Sequence, residues 1–318
     1  MRAILSYEQS VEQEVYLQTR LVVGNKALNV SAATIAGLPE KPNEDAFAVA
    51  SNDNVLFAGV FDGVTSLKPI PALGNETGAH FASHFLKDRF ATTQSYATPE
   101  EMVIALNSEL LEASTALGGK LSDTHSLPAT LATIITLSRD NDSFAFAHAG
   151  DCFGIVFFED GHSQVFTDDK NAKFDNKMFV LIGKIAREKG ITPRQAREDE
   201  RVKTALIEMF IDRNNNPDGH GSGLVNGDPN LAKYIQAGSI PLRGVAAILL
   251  GTDGLLPQGW SLGKEEDRQK IRAMISSGGF KEMFSVKHTS EDSDPDWQHI
   301  RYKHSDDATG LLIALANS

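Results

Sequence analysis

The placement of the acids constrains this chain more than any other feature. Four short acidic clusters, Asn43-Glu44-Asp45, Phe61-Asp62-Gly63, Gly251-Thr252-Asp253-Gly254 and Ser305-Asp306-Asp307, each stand beside an apolar run of strand length. Carboxylates at the edges of buried strands are held rigidly and can converge from distant positions, where their repulsion is severe unless cations lie between them. Oxygen ligands suit magnesium or manganese rather than zinc, and a single cysteine offers no thiolate cluster. Taken alone, each Asp-Gly pair reads first as a turn, and Asp160-Gly161 reads as nothing more; order and context reverse that for the others.

The rest of the composition agrees with that emphasis. A chain of 318 residues, 41% hydrophobic, is long enough for a full core, as one large domain or two modest ones. A formal net charge of -12 argues against a nucleic-acid partner, which calls for a basic face. Cys152 has no internal disulfide partner, so the expected setting is cytoplasmic. Residues 1–16 are interrupted by Glu8, Glu12 and Glu14 and do not read as a signal peptide, and apolar runs such as 244–251 are too short to cross a bilayer. A soluble protein without a membrane partner is expected.

Periodicity predicts strands over 45–50 and 54–61, a helix beginning near Asn75, and a second helix opened by Thr98-Pro99-Glu100-Glu101 and closed by Gly118-Gly119. Four β-rich segments, 129–137, 143–149, 154–158 and 163–167, read as an antiparallel meander. Residues 178–210 read as helical, with Thr192-Pro193 as a cap, and 212–229 as a loop, either a mobile lid or a surface insertion. A strand over 245–250, a helix over 265–276, a polar stretch over 291–296 and a strand over 309–314 close the chain. Strands and helices that do not alternate regularly imply an α+β layered fold, and no linker divides it.

In chain order, Asn43-Glu44-Asp45-Ala46, Val60-Phe61-Asp62-Gly63, Ala149-Gly150-Asp151, Thr252-Asp253-Gly254-Leu255 and Asp306-Asp307-Ala308-Thr309 resemble the successive signature motifs of the PPM/PP2C family of metal-dependent protein phosphatases. Pro128-Ala129-Thr130 and 166–170 are weaker echoes, and the resemblance runs from about residue 30 to the end. It implies a single PP2C-like domain over 1–318: a four-layer α-β-β-α sandwich of two antiparallel sheets flanked by helices, with a variable flap around 171–240. It also implies two Mg²⁺ or Mn²⁺ ions. By motif position, Asp62 corresponds to the bridging carboxylate, Asp253 and Asp306 to ligands of one ion, and the Gly63 carbonyl to a ligand of the other. Glu44 and Asp45 would lie beside the metals, directly or through water, with Asp151 and Asp307 in support. The implied activity is hydrolysis of phosphoserine and phosphothreonine in proteins by a water that the two ions activate, with no phosphoenzyme.

The chain departs from the family in several places. Glu40 stands where many members carry a phosphate-binding arginine, which leaves the neighbouring Lys41 as the candidate for that role. Val64 stands where eukaryotic members often carry a histidine, so leaving-group protonation falls to a water or to His148 or His304. A third metal would have Asp123 as its nearest candidate ligand, since His125 occupies the matching position. Asp212-x-Asn214-x-Asn216 opens like a calcium loop, but Pro217 and Gly223 break the pattern. Two other functions stay open: a catalytically weak module that binds phosphorylated partners, and a phosphatase of small metabolites.

Overall fold

Side-chain size along one strand decides how the layers stack. The computed structural model describes residues 3–5, 14–92 and 98–315. Its fourth strand, β4 (Asp45–Ser51), is buried on both faces. Phe47 and Val49 point into the core between two sheets, while the small Ala46 and Ala48 let a helix approach closely from outside. β5 (Val55–Val64) does the same, with Leu56, Ala58 and Val60 inward and Phe57 and Phe61 outward.

The first sheet has six strands among the described residues, in the order β1-β4-β5-β6-β7-β10, where β1 is Ala3–Leu5, β6 Ala129–Ser138, β7 Ser143–Ala149 and β10 Gln236–Pro241. The second runs β2-β3-β12-β11-β8-β9, with β2 Glu14–Val23, β3 Lys26–Ile35, β8 Phe153–Phe158, β9 Ser163–Val165, β11 Val245–Gly251 and β12 Ala308–Leu315. The pairings in both sheets are antiparallel. Two helices, α1 (Gly78–Thr92) and α2 (Pro99–Ala116), cover the first sheet through Leu86, Phe90, Met102, Leu106 and Leu110. The long α6 (Glu265–Asp292) covers the second through Ile271, Met283 and Phe284. The result is the expected four-layer α-β-β-α sandwich.

Several local expectations hold for the anticipated reasons. Thr98 caps α2, accepting from the Glu101 N–H at 3.1 Å while the Glu101 carboxylate accepts from the Thr98 N–H at 3.2 Å. Others need correction. The four-strand meander is two hairpins in different sheets, because β6 pairs with β7 and β8 with β9. Between them Gly150 takes φ 100°, and a Cβ there would sit 2.5 Å from the Leu131 side chain. That glycine carries the chain from one sheet to the other and leaves Asp151 at their shared end.

The predicted helix over 178–210 is three helices, α3 (Ala172–Lys189), α4 (Pro193–Ala196) and α5 (Glu200–Asp212), separated first by Gly190 at φ 64°. They bury a small core of their own around Phe174, Ile182, Val202 and Met209. The helix expected to stop at 276 continues as α6 to Asp292, bending where Gly279 leaves helical geometry at φ 65°. Strands β2, β3 and β10 went unassigned in the sequence. For β2 the period-2 signal was present in Val15, Leu17, Thr19, Leu21 and Val23.

The segment 212–229 is neither a surface insertion nor loosely attached. Asn214, Asn215, Ser222, Asn226 and Asp228 are buried, and side chains replace the missing regular backbone bonds. Asn107 of α2 accepts from the Asn226 and Gly227 N–H groups at 3.1 and 2.8 Å and donates to the Asp228 carbonyl at 3.1 Å. Replacing Asn107 by Ala would leave three buried polar groups unpaired, and a loss of about 2–4 kcal/mol in stability is expected. Urea denaturation measures it. A loss below about 0.5 kcal/mol would mean that this anchor contributes little.

Candidate metal centre

The acidic clusters meet at one end of the sandwich. Asp45 on β4 and Asp62 on β5 are direct cross-strand partners, and Asp62 also opposes Leu131 on β6. Ligand atoms of Asp62, Asp151 and Cys152 lie within 4.8 Å of one another. Asp62, Gly63, Asp151, Asp253 and Asp306 line a single cleft of about 290 Å³, so residues far apart in sequence share one cavity.

Neighbouring groups hold these carboxylates tightly. The Thr252 hydroxyl donates to Asp45 Oδ2 at 2.6 Å and accepts from the Thr309 N–H at 2.9 Å. The Thr309 hydroxyl meets that of Thr34 at 2.6 Å, and Thr34 accepts from Asn43 Nδ2 at 2.7 Å. This buried chain ties β4 in one sheet to β3, β11 and β12 in the other. Asp307 spends both oxygens on backbone, accepting from Gly37 N–H and Glu44 N–H at 2.7 Å each. It fixes the loop that presents Glu44, whose Oε1 accepts from the Thr77 hydroxyl at 2.7 Å.

Glycines permit the close approach. A Cβ on Gly254 would fall 1.9 Å from the Asp307 carbonyl oxygen, and one on Gly63 would fall 2.6 Å from the Glu44 carbonyl oxygen. Gly254→Ala must therefore displace Asp253 from Asp306. A fall in kcat of about 100-fold is expected, the scale for an ångström of misalignment. Steady-state kinetics at saturating Mn²⁺ tests this, and unchanged turnover would remove the packing argument.

The electrostatics fit divalent cations. Burial first, and repulsion from neighbouring acids second, raise the carboxyl groups of Asp45, Asp62 and Asp253 well above the ordinary range. Burial likewise pushes Asp151 up to about 7, although Arg213 opposes the shift. Asp151 Oδ1 is buried without a hydrogen-bond partner, a free oxygen facing no protein donor. Burial also raises the Cys152 thiol well above its usual value, so the donors here are hard oxygens.

A family model described as Protein phosphatase 2C matches residues 39–294. The chain belongs to the protein phosphatase 2C family. That makes it a hydrolase of the serine/threonine phosphatase class, in a metal-dependent family. Solved structures agree on the fold. The serine-threonine phosphatase 2C from Toxoplasma gondii is 14% identical with a TM-score of 0.55, over 95% of this chain and 99% of that one. Stp1 from Staphylococcus aureus is 16% identical with a TM-score of 0.53, over 94% and 98%. The S. agalactiae serine/threonine phosphatase is 13% identical with a TM-score of 0.53, over 91% and 100%. No curated protein sequence matches the chain. Among the described residues no helix is long and apolar enough to cross a membrane.

The family match stops before Asp306 and Asp307, yet both join the constellation through the start of β12. Lys41 is exposed on the loop before β4 and does not line the cleft. Asp123 is paired with Lys68 at 2.9 Å and also lies outside the cleft lining. His148 is buried with Nδ1 2.9 Å from the Thr133 hydroxyl and Nε2 2.9 Å from the Asp168 carbonyl, and burial lowers it to about 4. Both its nitrogens are occupied away from the cleft. His304 lines an adjoining recess with Asp253 and Asp306, 3.3 Å from Asp292.

Sequence reading overlooked one His-x-x-x-His spacing, His80 and His84 on α1. Their rings stack at 4.1 Å, with His80 Nδ1 on Glu76 and His84 Nε2 on the Asn43 carbonyl. It also missed the cleft's far wall of Asp175, Arg197, Arg213, Tyr302 and Lys303. Lys303 is ion-paired with Asp306; burial pulls its ammonium down, but Asp306, Asp307 and Asp62 together raise it above its usual value. The Tyr302 hydroxyl donates to Asp175 Oδ1 at 2.8 Å. Lys303 could have been noticed, since it stands three residues before Asp306. The other four stood out through no motif.

Proposed function

We propose that this phosphatase removes phosphate from phosphoserine and phosphothreonine in proteins, using two Mg²⁺ or Mn²⁺ ions held at the end of the sandwich. The observation that carries the reading is the gathering of Asp62, Asp253 and Asp306 from β5, the turn after β11 and the approach to β12 around one cleft. Asp62 would bridge the ions, Asp253 and Asp306 would hold one, and the Gly63 carbonyl the other. Glu44 and Asp45 would act directly or through water. Asp123 remains the candidate for a third. Bound ions would supply an acidified water and neutralise phosphoryl oxygens.

The chain's own contribution is positioning. Asp307 and Thr77 orient Glu44, Thr252 orients Asp45, and Lys303 orients Asp306. With Val64 in place of a histidine and His148 committed elsewhere, the candidate donor to the leaving group among the described residues is His304 at the recess. A cytoplasmic setting belongs to the same reading, supported by the lone, buried Cys152.

Hydrolysis of a phosphothreonine peptide and of p-nitrophenyl phosphate, with EDTA and then with added Mn²⁺, tests the proposal. Turnover that EDTA abolishes and Mn²⁺ restores, with preference for the peptide, is expected. Turnover indifferent to exhaustive chelation would refute the metal mechanism. A folded, metal-binding protein without turnover would point to a module that only binds phosphorylated partners.

A further inference from the structure

We propose that Arg213 and Arg197, carried by the helical flap, are the phosphoryl-binding side chains of this site; the proposal rests on the phosphatase reading above. Both line the cleft that holds Asp62, Asp253 and Asp306. Arg213, at the end of α5, is only 9% exposed, and its Nε has no hydrogen-bond partner. Arg197, directly after α4, has the same defect: its Nε is buried and unpartnered, and its nearest ion pair is a loose 3.9 Å contact with Glu198.

A buried guanidinium with an unused N–H is costly to maintain, and the cost falls when an anion accepts from it. Protein carboxylates are poor candidates for that anion. Asp306 is paired with Lys303 and Asp175 accepts from Tyr302, while Asp151, occupied at Oδ2 by Asn171, leaves Oδ1 unpartnered and accepts from neither arginine Nε. With cations on the aspartates, the two arginines are the cleft's unassigned positive charge. A phosphoryl group has oxygens enough to meet the metals on one side and a planar guanidinium fork on the other. Phe210 lies beneath the Arg213 guanidinium at 6.0 Å, and the flap's own core holds α4 and α5 in place. This arrangement gives the substrate phosphate a positive partner opposite the sheet, where Glu40 and the exposed Lys41 provide none.

The competing account is that Arg213 only balances Asp151 and Asp175, whose carboxyl groups burial raises and Arg213 partly lowers. Calorimetric titration of inorganic phosphate into the Mg²⁺-loaded protein separates the two, with Mg²⁺ affinity measured in parallel. Arg213→Ala is expected to weaken phosphate roughly 10- to 100-fold, the range for charged hydrogen bonds, and Arg197→Ala by about 3- to 10-fold. Mg²⁺ affinity should stay within about twofold. Arg213→Lys, which keeps the charge and serves if the alanine variant does not fold, should recover only part of the loss.

Phosphate affinity unchanged in both alanine variants would overturn the proposal. So would parallel loss of Mg²⁺ and phosphate in Arg213→Ala that Arg213→Lys fully restores, and so would a loss in Lys41→Ala alone. Absence of wild-type turnover on the phosphopeptide would overturn the phosphatase reading itself. Intact turnover with unaltered phosphate affinity in the variants would overturn the arginines alone.

Discussion

Asp62→Asn is expected to lower kcat at saturating Mn²⁺ by about three orders of magnitude or more while leaving the protein folded. Asp62 sits at the junction of β4, β5 and β6, opposite Asp45 and beside Asp151. In the proposed role Asp62 would support both ions, and transition-state charge stabilisation by metal ions is worth several kcal/mol, about a factor of ten for each 1.4. The same substitution removes a buried acid whose ionised form is opposed by burial and by its neighbours. The metal-free variant should therefore unfold at a higher temperature than the metal-free wild type at pH 8. Kinetics with Mn²⁺ and calorimetry without it form the paired measurement. Lower activity with a lower metal-free Tm would mean that Asp62 matters to folding instead.

Stability should depend on pH and metal together. Asp45, Asp62, Asp253 and Asp151 all have folded-state values raised above those of the unfolded chain, Asp151 to about 7. Between the two values the native state binds more protons than the unfolded state. Stability is then fully present below about pH 4 as far as these groups are concerned, and is lost as pH rises through about 7 and beyond. Cations that bind only the folded protein offset the loss. A thousandfold excess over Kd adds about 4 kcal/mol, or roughly 5–10 °C for a chain of this size. Scanning calorimetry at pH 5 and pH 8, with EDTA or Mg²⁺, should show the larger metal-induced shift at pH 8. Equal shifts at the two pH values would contradict the account.

Much of the architecture was legible because its causes are local. Capping chemistry marks α2 at Thr98 and Glu101, and two β-rich runs on either side of the turn-prone 51–54 mark β4 and β5 as strands. Where local signals conflict with long-range pairing, reading failed. Residues 129–167 look like one continuous meander, yet Gly150 sends the second half to the other sheet. Gly278-Gly279 look like a helix end, yet packing of Phe280, Met283 and Phe284 against the second sheet carries α6 onward. The loop 212–229 looks exposed because it is polar, but its asparagines serve a buried setting: Asn215 pairs with both backbone groups of Leu224, and Asn226 donates to Asn214.

The order of the acidic motifs was enough to establish the sandwich, its likeness to the phosphatases and the aspartates that share the cleft. A carboxylate beside a strand end leaves a trace in the linear chain, since the strand's periodicity and the Asp-Gly pair adjoin it. The arginines that face those carboxylates leave none, and Lys303 only its place three residues before Asp306. Arg197, Arg213 and Lys303 reach the cleft from the flap and from the approach to β12, placed by helix packing that spans more than a hundred residues. Charge type is a property of sequence, but which charges face each other across a cavity is decided only when the chain closes around it.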